Sequence, residues 1–189
     1  MKKTILLALI TFSMPALAQE SSVTLSGGWA SASPEYFSTS LSGYRINGLY
    51  EFNPGGGKVS HGLNVGYIHT TGTGTNSGPA GNVTITVNST ISSIPVYYAP
   101  KIMFGKSEKF KLFIKGALGW QFGTYKYEGP AVNVKTSDAG FYGGIGAGLT
   151  LNFSEKLFLN AEYEWAYMAN MYYGNGYLST AQLGLGYRF

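Results

Sequence analysis

The sequence predicts an all-β protein, an eight-stranded antiparallel up-and-down transmembrane β-barrel. Three observations carry that expectation. Apolar residues recur at every second position in segment after segment, and past the leader no stretch shows the 3.6-residue period of an amphipathic helix. Charged residues make up only 12% of the chain, about half the ~25% of an ordinary soluble domain, while hydrophobic residues hold an ordinary 44%. The connections between alternating segments are short and long by turns, as in outer-membrane barrels with tight periplasmic turns and longer outside loops.

The leader, MKKTILLALITFSMPALAQ, has Lys2 and Lys3, an apolar run over 5–14 and the small-residue pattern Ala16-Leu17-Ala18. That predicts a secretory signal peptide over 1–18 and a barrel domain over 19–189. The apolar run is shorter than the ~20 residues a membrane-spanning helix needs. With no Cys, disulfides and thiolate metal sites are excluded. Removing Lys2 and Lys3 leaves 11 Lys and Arg against 9 Asp and Glu, so no basic block remains for nucleic acid.

Eight segments then alternate. The first, SSVTLSGGWAS, sets Val23, Leu25 and Trp29 on one face. The second, GYRINGLYEF, opposes Tyr44, Ile46, Tyr50 and Phe52 to Arg45, Asn47, Leu49 and Glu51. The third runs over 61–71, with Leu63, Val65 and Tyr67 against Gly62, Asn64 and Gly66. The fourth ends in SIPVYYAPKIMF, where Ile94, Val96, Tyr98, Ile102 and Phe104 alternate with Tyr97, Ala99, Lys101 and Met103. Upstream of it, Val83, Ile85 and Val87 fall on the opposite parity, which predicts a bulge or a separate hairpin arm within 83–91. The fifth, KFKLFIKGALGWQF, is the strongest, with Phe110, Leu112, Ile114, Leu118, Trp120 and Phe122 on one face. The sixth, GFYGGIGAGLTLNF, sets Phe141, Ile145, Ala147, Leu149, Leu151 and Phe153 against a row of Gly with Tyr142, Thr150 and Asn152. The seventh, KLFLNAEYEWAY, opposes Leu157, Leu159, Ala161, Tyr163, Trp165 and Tyr167 to Asn160, Glu162 and Glu164. The eighth covers 177–189 and alternates to its final residue, Phe189. Short turns are expected at 53–58, 105–109 and 154–156, and long loops at 31–40, 71–82, 127–136 and 170–176.

The less apolar face decides between a soluble barrel and a membrane one. Rich in Gly, Thr, Asn and Gln, it lacks the Lys and Glu density of a solvent coat but suits a cramped barrel interior. Aromatics gather at both ends of the outward set. Trp29, Tyr67, Trp120, Phe122, Trp165 and Tyr167 lie near the long loops, and Phe52, Phe104, Phe110, Phe153, Tyr187 and Phe189 near the short turns. Two girdles about 25 Å apart are what interfacial anchoring requires.

With its leader, strand pattern and closing GLGYRF, the mature chain resembles the small outer-membrane β-barrel proteins of the OmpX and OmpA transmembrane-domain type. The resemblance implies a bacterial outer-membrane location, insertion by the barrel-assembly machinery, and contact with outer-membrane lipids and lipopolysaccharide. It also implies that Tyr187 and Phe189, two positions apart at the end of the last strand, form the assembly signal.

By parity, the inward charges are Arg45, Glu51, Lys101, Lys111, Lys115, Glu162, Glu164 and Arg188. Counting from the short turns brings Arg45 about level with Glu164 and Lys115 about level with Glu162, which predicts an interior polar network, since buried charges must be paired. No catalytic, cofactor or metal site is expected. The expected function is structural or surface-interactive: a monomer whose polar outer loops touch a host or surface ligand. Two alternatives stand beside it, a lipid A-modifying enzyme and a narrow ion-conducting pore. A known deacylase arrangement places His and Ser two positions apart on a lipid-facing strand, but here His69 is followed at 71 by Thr, with no carboxylate evident nearby.

Overall fold

The computed structural model describes residues 20–35, 40–54, 57–77, 84–105, 107–130, 133–170 and 175–189, with backbone alone at 75–77 and 84–87. The expected signal peptide lies outside these residues. Nine antiparallel strands follow in chain order: β1 (Glu20–Pro34), β2 (Leu41–Asn53), β3 (Val59–Ser77), β4 (Thr84–Tyr98), β5 (Lys101–Phe104), β6 (Phe110–Glu128), β7 (Asn133–Asn152), β8 (Leu157–Met168) and β9 (Gly176–Arg188). Because β1 pairs with β2 on one side and with β9 on the other, the sheet closes into a ring.

Strands β4 and β5 are one stave broken at Pro100. Both pair with β3 and β6 in a single uninterrupted register, Leu63 opposite Tyr98 and Val59 opposite Ile102. Proline has no N–H to give the ladder, yet its carbonyl still accepts from Gly116 N at 2.8 Å. Eight staves therefore close the wall.

That register also corrects one expectation. From Ser77 opposite Thr84 down to Leu63 opposite Tyr98 the pairing carries no offset, so no bulge sits among the described residues of 83–91 (Val83 itself lies outside them). The change of apolar parity has a different cause. Above the membrane rim no lipid demands apolar groups on the outside, and Ile91 turns inward, 3% exposed, beneath the outer mouth. Two expected long loops are shortened for the same reason. Strand β3 continues to Ser77, and β6 and β7 extend to Glu128 and back from Asn133.

Within the rim, alternation sorts the side chains sharply. Leu25, Ile145 and Leu185 are about two-thirds exposed on the outside, with Trp120, Phe122, Leu112 and Ile114 close behind. An apolar coat of this extent costs free energy in water and none against acyl chains.

Candidate functional site

The interior is stacked in layers. At the periplasmic end a cavity of about 770 Å³ opens between the short turns, its wall including Lys111, Arg188 and Phe158. Beneath it lie Phe113 and Phe158, both buried. Gly148 and Gly186 make room for them, since a methyl at either position would overlap a Phe ring. Here Lys101 Nζ reaches Glu51 Oε1 at 2.5 Å and Oε2 at 2.7 Å, lying 4.9 Å from the Phe113 ring centre, while Ser60 Oγ donates to Glu51 at 3.1 Å.

The middle layer is the densest. Arg45 Nη1 donates to Glu164 Oε1 at 2.5 Å and to the Tyr142 hydroxyl at 2.9 Å; its Nη2 donates to the Tyr97 hydroxyl at 2.7 Å and its Nε to Asn47 Oδ1 at 2.8 Å. The two phenols pass hydrogen bonds on, Tyr142 to Glu164 Oε1 at 2.5 Å and Tyr97 to Oε2 at 2.9 Å. Their rings stack with centroids 5.0 Å apart. Lys115 Nζ lies 2.9 Å from Glu164 Oε2 and pairs also with Glu162. Asn47 in turn donates to Gln182. Arg45 and Glu164 have fully buried side chains, and the pairing is what makes their burial tolerable.

Toward the outside the lining turns apolar. Ala30, Ala32, Leu41, Ile68, Met168 and Leu178 are each at most 1% exposed and lie above the charged layer, beside the buried polar side chains of Thr70, Ser93 and Gln121.

A protein-family model described as "Outer membrane protein beta-barrel domain" matches residues 4–189. The chain belongs to that family. Among solved structures, this outer-membrane barrel is similar to Ail, the attachment invasion locus protein of Yersinia pestis, at 21% identity over 90% of this chain and 99% of that one, with a TM-score of 0.54. Neisserial surface protein A aligns at 12% identity over 89% and 97% with a TM-score of 0.57, and a major outer membrane protein from Thermus thermophilus at 12% over 89% and 99% with a TM-score of 0.56. At such identities the likeness shows the fold. No curated protein matches the chain. The barrel is thus a bacterial outer-membrane protein, and the general rule for such barrels assigns the short turns to the periplasm.

Of the eight inward charges, the structure joins Arg45, Lys115, Glu162 and Glu164 in one cluster and Lys101 with Glu51 in another. It leaves two apart. Arg188 donates to Asn152 Oδ1 at 2.8 Å and to the Glu155 carbonyl at 3.3 Å, and stacks 4.5 Å from the Phe158 ring centre. Lys111 faces the periplasmic cavity without an ion pair among the described residues. The network also holds residues that sequence reasoning did not single out: Tyr97, Tyr142, Asn47 and Gln182. All four fall on the inward parity, and that was their only signal.

At the outer end a second feature emerges. Strand β2 stops pairing with β3 at Ser42 opposite Thr71, and β8 stops pairing with β7 at Met168 opposite Tyr142. Strands β3, β4, β6 and β7 go on together past that level. Among the described residues a four-stranded sheet therefore extends beyond the rest of the wall on one side of the barrel, with no strand paired to β3 over 73–77 or to β7 over 133–138.

Proposed function

We propose that this barrel is a sealed, monomeric, non-catalytic scaffold that holds the protruding sheet for contact with a partner outside the cell. The observation that carries the reading is the pair of bare edges. Among the described residues no strand pairs with either, which leaves a row of main-chain N–H and C=O groups to which an extended segment of another protein adds as a strand. On the β7 edge, Lys135 and Asp138 are exposed and disfavour self-association without blocking the main chain. The interior supports the reading by supplying rigidity: a sheet anchored on a cross-linked bore keeps its shape when the wall ends. Ail, a barrel of this fold, has been crystallised in complex with the heparin analogue sucrose octasulfate.

Whole-cell adhesion to immobilised serum and matrix proteins tests the proposal. Proline placed at two alternate β7 edge positions (Val134 and Thr136, or Lys135 and Ser137) removes the edge-facing N–H groups in one of the two sets. That set is expected to abolish adhesion while the heat-modifiable gel shift of the folded barrel persists. Adhesion unchanged by both sets sinks the edge reading. The same protein is expected to stay silent in single-channel recording and to leave lipid A acylation unchanged by mass spectrometry.

Tyr187 and Phe189 fit the role of assembly signal. Their rings stack on the outside of the last strand, centroids 6.5 Å apart, and Phe189 N donates to Ser21 O at 3.0 Å, so the chain end is held at the β1 seam where the ring closes. Phe189→Ala is expected to lower the amount of assembled barrel in cells while leaving the stability of refolded protein nearly unchanged.

A further inference from the structure

Two buried polar atoms in the lower bore have no hydrogen-bond partner among the described residues: Thr24 Oγ1 on β1 and Asn64 Oδ1 on β3. Their residues are 3% and 1% exposed. The register sets both on one cross-strand row, each opposite Leu49 of β2. That row lies between the charged middle layer and the Lys101–Glu51 pair. A buried polar group left without a partner keeps its full desolvation cost, so two in one place call for an explanation.

Both residues line the same small cavity, of about 10 Å³, whose wall also includes Leu49, Lys115, Asn160 and Glu162. Glu162 differs from the rest of the charged layer. Its side chain is 12% exposed, against 0% for Glu164 and 2% for Lys115. One of its oxygens takes the Lys115 ammonium. Asn160 accepts from Thr150 Oγ1 at 2.7 Å through its carbonyl, which leaves its NH2 group to donate elsewhere.

We propose that this cavity is a binding site for a single internal water, held by Thr24, Asn64, Asn160 and the Glu162 carboxylate, and bridging β1, β3 and β8 beneath the charged layer. Size sets the first limit, since about 10 Å³ admits about one water and nothing larger. Charge sets the second. The oxygen atoms alone would suit a small cation, but the Lys115 ammonium stands in the same wall and already balances Glu162; an anion would meet Glu162 itself. Hydrogen bonding sets the third. Asn64 Oδ1 needs a donor and the Asn160 NH2 group an acceptor; water is both at once, and the Thr24 hydroxyl serves in either sense. A buried water takes about two to four polar partners, which this wall supplies. The site belongs to the bore and stands or falls separately from capture at the sheet edges.

The test uses the mature barrel, methyl-labelled and folded in phosphatidylcholine nanodiscs. Magnetisation transfer from water is read by NMR at the Leu49 methyls, since that side chain has no exchangeable proton of its own. A cross-peak is expected in wild type, and its loss in N64L, which sets methyl groups where the amide meets the cavity. The second measurement is the urea midpoint of T24V for unfolding from lipid vesicles. T24V exchanges the hydroxyl for a methyl of nearly the same size. It is expected to lower the midpoint if the hydroxyl is bonded to water, and to raise it if the hydroxyl is dry and unpartnered, because an unsatisfied polar group is then removed. Gel mobility before and after heating confirms folding; should N64L not fold, the wild-type cross-peak and T24V decide. No cross-peak at Leu49 in wild type, or a T24V midpoint equal to or above that of wild type, overturns the proposal. So does a wild-type midpoint that shifts when choline replaces sodium throughout while T24V fails to respond, since that assigns the cavity to a cation.

Discussion

The middle of the bore and its periplasmic mouth hold the same kinds of residue under opposite rules. In the middle, Glu164 answers Arg45, Lys115, Tyr97 and Tyr142 at once, and the ion pair with Arg45 is fully buried. At the mouth, Arg188 makes do with a side-chain amide and a carbonyl, and Lys111 faces an open cavity. Between them lies the Lys101–Glu51 pair, with side chains 2% and 5% exposed. The difference teaches that depth, rather than residue type, sets how completely a charge must be matched. A buried charge stripped of its partner keeps its whole desolvation cost, whereas one at the mouth regains water.

The sharpest way to break this comparison is to remove the hub. Glu164→Gln leaves Arg45 and Lys115 buried with a single remaining carboxylate, Glu162, and is expected to destabilise the barrel by about 3–5 kcal/mol, read as the urea midpoint for unfolding from lipid vesicles. Replacing the pair together, Arg45→Met with Glu164→Leu, is expected to recover most of that loss, because no charge is then stranded by its partner and Lys115 keeps Glu162. If the double variant is as weak as the single one, the layer is held by its full geometry and not by charge balance.

Packing gives a second, smaller contrast. Gly186→Ala sets a methyl against the Phe158 ring under the mouth, at an expected cost of about 1–3 kcal/mol. Gly57→Ala, in the periplasmic turn where a Cβ would meet nothing within 4 Å, is expected to change the midpoint very little.

The sequence made one part of this legible and hid another. Parity alone assigned the faces, because lipid on one side and a narrow bore on the other punish every misplaced side chain; Arg45, Lys115 and Glu164 stood out as charges on an otherwise small-residue face. Which of them meet depends on the stagger of strands around the ring, a global quantity that residue counts from the turns only approximate. Hence parity places Tyr97 and Tyr142 inward without bringing their hydroxyls to Glu164, and it gives Arg188 and Lys111 the same face as charges they do not contact. The protruding sheet was hidden for a different reason. Above the rim no bilayer enforces alternation, so the polar run TTGTGTNS over 70–77 reads as loop although its pairing with β4 continues.

The gentlest test separates depth from charge at the mouth itself. Lys111→Gln removes a cation without an ion pair among the described residues from a wet cavity, and is expected to move stability by no more than about 0.5 kcal/mol. Arg188→Gln removes one that also packs on Phe158 and donates to Asn152, so its expected cost is larger, up to about 1 kcal/mol, much of it from lost packing of the guanidinium on the ring. Measured at low and high salt, the Arg188 cost should change little, because packing on an aromatic ring is screened less than an exposed ion pair. A cost at Lys111 equal to that at Glu164 would show that the mouth is as dry as the middle, and the layered account of the bore would fail.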